Sequence, residues 1–250
     1  MRAACALYLL YLLAVATAAA QERSFLACPI VRDTKTAPCF LAEYEGELYY
    51  LGIQQDINAD FHPPQLKHEV LVEGRVEKGP RVCGGIPLKP LAISVIKEVN
   101  PACNTLLPAE PGIEAPPAGQ GGPASHRPIA EPWPAEESLA GRQEFTLLFA
   151  FDDDFVDFGS IAILRRAAGY ALKIGASAVK VNGYRATSLL SNGQRLVEKP
   201  GLAKKRAQEI ATLLEGLGVN GVAAEWKDDP EPGDGNADPS HRRVTITVIP

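Results

Sequence analysis

Arg206 is the residue whose setting in the sequence most requires a partner. From Leu202 to Leu217 apolar residues recur with helical period, and Leu202, Ile210, Leu213 and Leu217 mark one face with Arg206 near its centre. A guanidinium on that face needs an anion, because a buried charge without a counter-charge is strongly unfavourable. Arg206 also lies in the first turns of the helix, where free backbone N–H groups and the helix dipole favour negative charge. Three partners are open: a bound anionic ligand, an internal carboxylate such as Asp152 or Asp154, or water reached by a side chain that snorkels past the sheet edge.

Other reactive chemistry is thin. His62, His68, His126 and His241 are scattered, and there is no Gly-x-Ser-x-Gly elbow, His-Glu-x-x-His pair or phosphate-binding glycine loop. Asp234-Gly235-Asn236-Ala237-Asp238 opens like a calcium loop, but Pro239 replaces the required glycine and Thr245 stands where a bidentate glutamate belongs. Asp152, Asp153 and Asp154 form a strand-end cluster that solvent alone can satisfy. These features predict a non-enzymatic protein with no cofactor and no metal site.

The first twenty residues indicate the compartment. Arg2 precedes an apolar stretch from Ala3 to Ala16 and the run Thr17-Ala18-Ala19-Ala20, the pattern of a signal peptide (residues 1–20) cleaved before Gln21. The apolar core is too short to span a bilayer comfortably, and no later run of about 18 apolar residues follows, so the mature chain is expected to be soluble. Cys5 lies inside that core and is not read as a lipidation site. Four cysteines remain, Cys28, Cys39, Cys83 and Cys103, and an even count in an oxidising compartment reads as disulfides. Three connectivities are open, of which Cys28 with Cys39 and Cys83 with Cys103 is the simplest. Zinc is disfavoured, since there is no C-x-x-C pair and no histidine cluster at ligand spacing. With 25 Lys and Arg against 30 Asp and Glu the formal net charge is -5, a mild acidity that predicts no nucleic-acid binding.

These residues need a scaffold. Residues 24–107 read as β structure. Phe40 to Tyr44 and Leu48 to Ile53 flank a Glu45-Gly46-Glu47 turn, Glu69 to Val76 alternates apolar with polar, and Leu91 to Ile96 is a further apolar run. Tyr49 and Tyr50 read as a core residue and its cross-strand partner, with a stacking face as the alternative. Residues 108–142 are rich in Pro, Ala, Gly and Glu and read as a linker from which two domains hang on a long tether. Residues 143–250 alternate: strand 145–151, helix 160–174, strand 177–184, helix 202–217, strand 219–226 and strand 242–249. In the first helix Ile161, Leu164, Ala168, Ala171 and Leu172 share one side. That β-α-β-α-β-β order implies helices packed on one face of a mixed sheet. The expected class is therefore α+β, a small N-terminal β-barrel joined by a Pro-rich linker to this C-terminal domain.

Two resemblances add to this reading. Val70-Leu71-Val72-Glu73-Gly74-Arg75-Val76 resembles an OB-fold strand, where a glycine lets the strand bend around the barrel. In residues 143–250, Phe149-Ala150-Phe151-Asp152, Val179 to Tyr184, Leu202 to Ala207, Gly216-Leu217-Gly218-Val219 and Arg242 to Ile246 together resemble the OmpA-like C-terminal domain. The resemblance implies non-covalent binding of peptidoglycan through the diaminopimelate of its stem peptide. In that family an aspartate after the Gly-Tyr strand and an arginine at the next helix start take the two ends of the zwitterion. The arginine maps to Arg206 and the Gly-Tyr strand brings Tyr184 to the site. The aspartate is not matched, because the chain reads Gly183-Tyr184-Arg185-Ala186. The following loop, Thr187 to Gly201, offers Glu198 as the replacement carboxylate. The implied setting is the periplasm or cell envelope of a Gram-negative bacterium, with outer-membrane association among the expectations and the N-terminal domain free to meet an envelope protein. The alternative, motivated by Ala186 and the longer loop, is a periplasmic interaction adaptor that no longer takes the wall peptide.

Overall fold

The computed structural model describes residues 21–53, 65–117, 141–236 and 238–250. The expected signal peptide, most of the expected linker, His62 and His126 lie outside the described residues. Alternation in the first part of the chain produces strands β1 (Glu22–Ala27), β2 (Pro29–Arg32), β3 (Cys39–Tyr44), β4 (Glu47–Ile53), β5 (His68–Val76), β6 (Ile86–Val99) and β7 (Thr105–Leu107). The β3–β4 turn places Glu45 and Gly46 both at positive φ, the geometry a two-residue hairpin loop needs.

The expected closed, OB-like barrel is not formed. The strands follow the open path β1-β5-β6-β4-β3-β2-β7, and β1 and β7 do not pair. The joint explains why: β4 and β6 pair in parallel only at Tyr49 with Ile86 and Tyr50 with Pro87. Such a short joint lets the two halves of the sheet turn toward one another around a shared core instead of continuing into a ring. That core contains Phe25, Phe40, Tyr49, Leu51, Val70, Val72, Leu88 and Ile93. Gly74 does permit a local bend, since a Cβ there would lie 2.5 Å from the Pro90 carbonyl oxygen, and the β5–β6 register shifts beside it.

Neighbouring tyrosines point to opposite faces of β4, as the period of a strand requires. Tyr49 enters the first core and Tyr50 a second one with Ile30, Cys39, Leu41 and Cys83, so neither offers an exposed stacking surface. Ile113 and Ala115, from the Pro-rich stretch, pack on that second core. The disulfides join Cys28 to Cys103 and Cys39 to Cys83 rather than sequence neighbours. They close loops with separations of 75 and 44 residues, each of which removes denatured-state entropy worth about 4 kcal/mol in the chain-entropy account.

Past the linker come β8 (Gln143–Leu148), α1 (Phe158–Ile174), β9 (Ala178–Leu189), β10 (Arg195–Val197), α2 (Leu202–Gly216), β11 (Val222–Glu231) and β12 (Arg243–Ile249). Asp157 caps α1 by accepting from the Ser160 N–H, and Gly175 ends it in a left-handed conformation. β12 lies between β8 and β9, antiparallel to both, and β11 runs parallel to β9 on its other edge. Both helices cover one face. Leu164, Ala168, Tyr170 and Ala171 of α1 and Ala207, Ile210 and Leu214 of α2 pack on Leu147, Val179, Val181, Val244, Ile246 and Val248. Leu172, expected on the buried side of α1, is exposed.

The two domains are docked, not hanging apart. Leu71 packs with Phe151 and Leu190, and Leu26, Ile96 and Leu196 rim that contact. The first domain thereby covers the end of the second sheet at which β8 and β9 finish and β12 starts. Among the described residues no helix is long and apolar enough to cross a membrane.

Candidate functional site

Gly183 sets how closely α2 approaches the sheet. A Cβ there would lie 2.1 Å from the Ala203 carbonyl oxygen and 3.0 Å from the Ala207 Cβ, so only glycine lets the first turns of α2 lie flat on β9. Arg206, on that inward face, is fully buried. Its five N–H donors are all taken. Nε donates to the Asp153 carbonyl (2.8 Å), Nη1 to the Tyr184 carbonyl (3.0 Å) and Glu198 Oε2 (3.0 Å), and Nη2 to the Ala150 carbonyl (3.1 Å) and Glu198 Oε1 (2.6 Å). Its guanidinium also lies 4.8 Å from the Phe149 ring centroid.

Of the partners open in the sequence, an internal carboxylate is the one present, and it is Glu198 rather than Asp152 or Asp154. Both side chains of the pair are 0% exposed. The carboxylate has further donors: the Asp152 N–H meets Oε1 at 2.9 Å and the Ala186 N–H meets Oε2 at 2.8 Å. Two guanidinium bonds and two amide bonds thus surround it, a donor set that suits any carboxylate. Here the chain supplies the carboxylate itself. Ala186 is likewise buried, and its carbonyl accepts from the Glu198 N–H at 3.1 Å. An aspartate in its place would set a second carboxylate against Glu198 in a site whose donors are already spent.

Tyr184 contributes its carbonyl to Arg206. Its ring faces the other way, with the Arg243 guanidinium 4.3 Å and the Lys227 ammonium 5.7 Å from its centroid. The structure therefore brings Arg206, Glu198 and Tyr184 together, with the ion pair turned inward and the ring turned outward. The aspartates after β8 each meet a lysine: Asp152 meets Lys199 at 2.9 Å, Asp153 meets Lys97 at 3.0 Å and Asp154 meets Lys205 at 3.3 Å. Asp238 points inward and accepts from the Leu189, Asp234 and Gly235 N–H groups. No cluster of metal-ligating side chains occurs among the described residues.

Sequence reasoning missed a second buried pair. Arg242 of the C-terminal domain grips Glu73 of the N-terminal one through two bonds of 3.1 and 2.6 Å, and the Ser188 hydroxyl donates to Glu73 at 2.8 Å. Burial works against the Arg242 charge, but the Glu73 carboxylate more than offsets it, and the guanidinium holds its proton more firmly than usual. The only trace of this pair in the sequence is a glutamate beside apolar residues in β5, a pattern that many solvated strands share.

No family model matches the chain, and no curated protein matches it. Solved structures similar to it include the OmpA-like domain of FopA1 from Francisella tularensis subsp. tularensis SCHU S4, at 20% identity over 43% of this chain and 71% of that one, with a TM-score of 0.34. A MotB-like protein from Desulfovibrio vulgaris is similar at 16% identity over 44% of this chain and 76% of that one, with a TM-score of 0.35.

Proposed function

We infer that this protein is a non-enzymatic, exported envelope adaptor: an OmpA-like domain that serves as a platform for a disulfide-bonded β domain and does not display an open receptor for the wall peptide. One observation carries the reading. Arg206, the residue the resemblance assigns to the diaminopimelate carboxylate, already holds a carboxylate from its own chain, and no donor is left over. The leader-like residues 1–20 and the two disulfides support export to an oxidising compartment. The exposed surface of the β domain is then the side offered to an envelope protein.

Sedimentation with purified sacculi tests this. The chain from Gln21 onward is expected to stay in the supernatant, and co-sedimentation that free diaminopimelate competes away would overturn the reading. Such competition would instead establish the second reading, peptidoglycan association through Arg206, Tyr184 and Glu198. That reading is favoured by one fact, the meeting of these three residues at the sheet end where the resemblance puts the ligand.

A further inference from the structure

The segment that follows β8 is gripped from two sides. From the C-terminal domain, Arg206 holds the Ala150 and Asp153 carbonyls and Glu198 holds the Asp152 N–H. From the domain interface, the Phe151 N–H donates to the Ser94 hydroxyl at 2.7 Å, and Arg242, tied to Glu73, reaches the Phe149 carbonyl at 3.4 Å. Lys199, next to Glu198, bridges Asp152 at 2.9 Å and Glu98 of the N-terminal domain at 3.2 Å. The loop before it is fastened in the same way: the Ser191 N–H donates to the Ser24 carbonyl at 2.7 Å, and the Ser24 N–H to the Ser191 hydroxyl at 3.0 Å. Asp152 itself has φ of 57°, a left-handed conformation that non-glycine residues adopt uncommonly and that surrounding contacts must maintain.

These contacts place both walls of the Glu198 site, residues 149–153 and the loop from Ser188 to Lys199, under the docked N-terminal domain. We propose that the N-terminal domain is a lock on this site: while docked it holds Glu198 on Arg206, and when it lifts away the loop is released and the Arg206 guanidinium with the Asp152 and Ala186 amides becomes a receptor for the carboxylate end of a peptide. The proposal rests on Glu198 being the internal occupant of a carboxylate site. A ligand of the N-terminal domain that competes with the interface would then open the second site, which makes the two domains a relay between two partners.

Hydrogen exchange on the whole chain tests the lock. In Glu73→Gln the Ser24, Phe151 and Ser191 amides report undocking, and the Asp152 and Ala186 amides report the site. Both sets are expected to exchange faster together, by about tenfold or more, while amides in the middle of β12 keep their protection. Faster exchange at Ser24, Phe151 and Ser191 with unchanged Asp152 and Ala186 overturns the lock, as does no change anywhere. Ile96→Asp, at the rim of the contact between the domains, is the second variant should Glu73→Gln fail to fold. It is read by the same five amides, with the same outcomes supporting or overturning the proposal. A separate arm examines the underlying reading: Glu198→Ala should gain thermal stability with added sodium acetate while the parent protein does not. An equal response of the two proteins to acetate would remove the occupant reading, whatever the exchange data show.

Discussion

The two buried arginine–glutamate pairs are nearly identical in local chemistry and opposite in what they join. Each is bidentate with a shortest bond of 2.6 Å, and each guanidinium is shielded from water. Arg206 and Glu198 are 8 residues apart and belong to one domain. Arg242 and Glu73 are 169 apart and belong to two. Burying such a pair in place of apolar side chains contributes little net stability, whereas stranding one member costs several kcal/mol, so each pair is felt chiefly when it is broken. The first closes within one domain, and the second spans the two.

The largest effect expected to separate the pairs comes from Glu198→Ala, which strands Arg206 and should cost about 3–5 kcal/mol in chemical denaturation. Glu73→Ala should cost less, because Arg242 regains water once the domains part, whereas Arg206 regains it only when the C-terminal domain opens. Equal losses would show that the two guanidinium groups are trapped to the same degree.

Ala186→Asp adds a carboxylate to the closed site and should destabilise by about 2–3 kcal/mol at neutral pH. Repulsion from Glu198 raises the pKa of the new group, so the loss relative to the parent should shrink on acidification. Denaturation curves at several pH values read this, and a pH-independent difference would point to packing instead of charge.

Gly183→Ala lifts the first turns of α2 from β9 and should cost about 1–3 kcal/mol. Protection of the Asp152 and Ala186 amides should fall while the Glu73–Arg242 contact survives. Loss of both together would show that the pairs cannot be disturbed separately.

The smallest effect belongs to the exposed bridge at Lys199. Backbone and Lys199 hydrogen bonds hold the Glu98 carboxyl below its ordinary value near 4.5. Its contribution is therefore present above that value and lost as pH falls through the lower, folded one. Asp152 and Glu98 raise Lys199 above its ordinary 10.5, so its contribution is complete below that value and lost as pH rises through the higher, folded one. In Lys199→Met both edges of the stability profile should flatten slightly, and high salt should mimic the variant in the parent protein.

Periodicity made much of the C-terminal domain legible. The expected helices 160–174 and 202–217 meet α1 at Phe158–Ile174 and α2 at Leu202–Gly216, and the placement of Arg206 on the inward face followed from the same pattern. The end of β9 from Thr187 to Leu189 and all of β10 fall in the stretch that the sequence marks as loop. Their order derives from contacts that no local window contains: Ser188 is held by Glu73, and Leu190 by Leu71 and Phe151. In the N-terminal domain strand character was readable, but closure was not. Alternation specifies which residues face inward without specifying which edges meet.

The sequence by itself determined that Arg206 would sit on an apolar helical face and require a partner, because such a face offers a guanidinium nothing to pair with. It determined the strand–helix order of residues 143–250 apart from β10, because hydrophobic periodicity is a local signal. Only the tertiary structure decided that the anion is Glu198, that the disulfides are Cys28–Cys103 and Cys39–Cys83, and that Glu73 closes the domains over the site. Each of these is a choice among several chemically equivalent partners, and such a choice is made by the distance between groups in space, which periodicity does not encode.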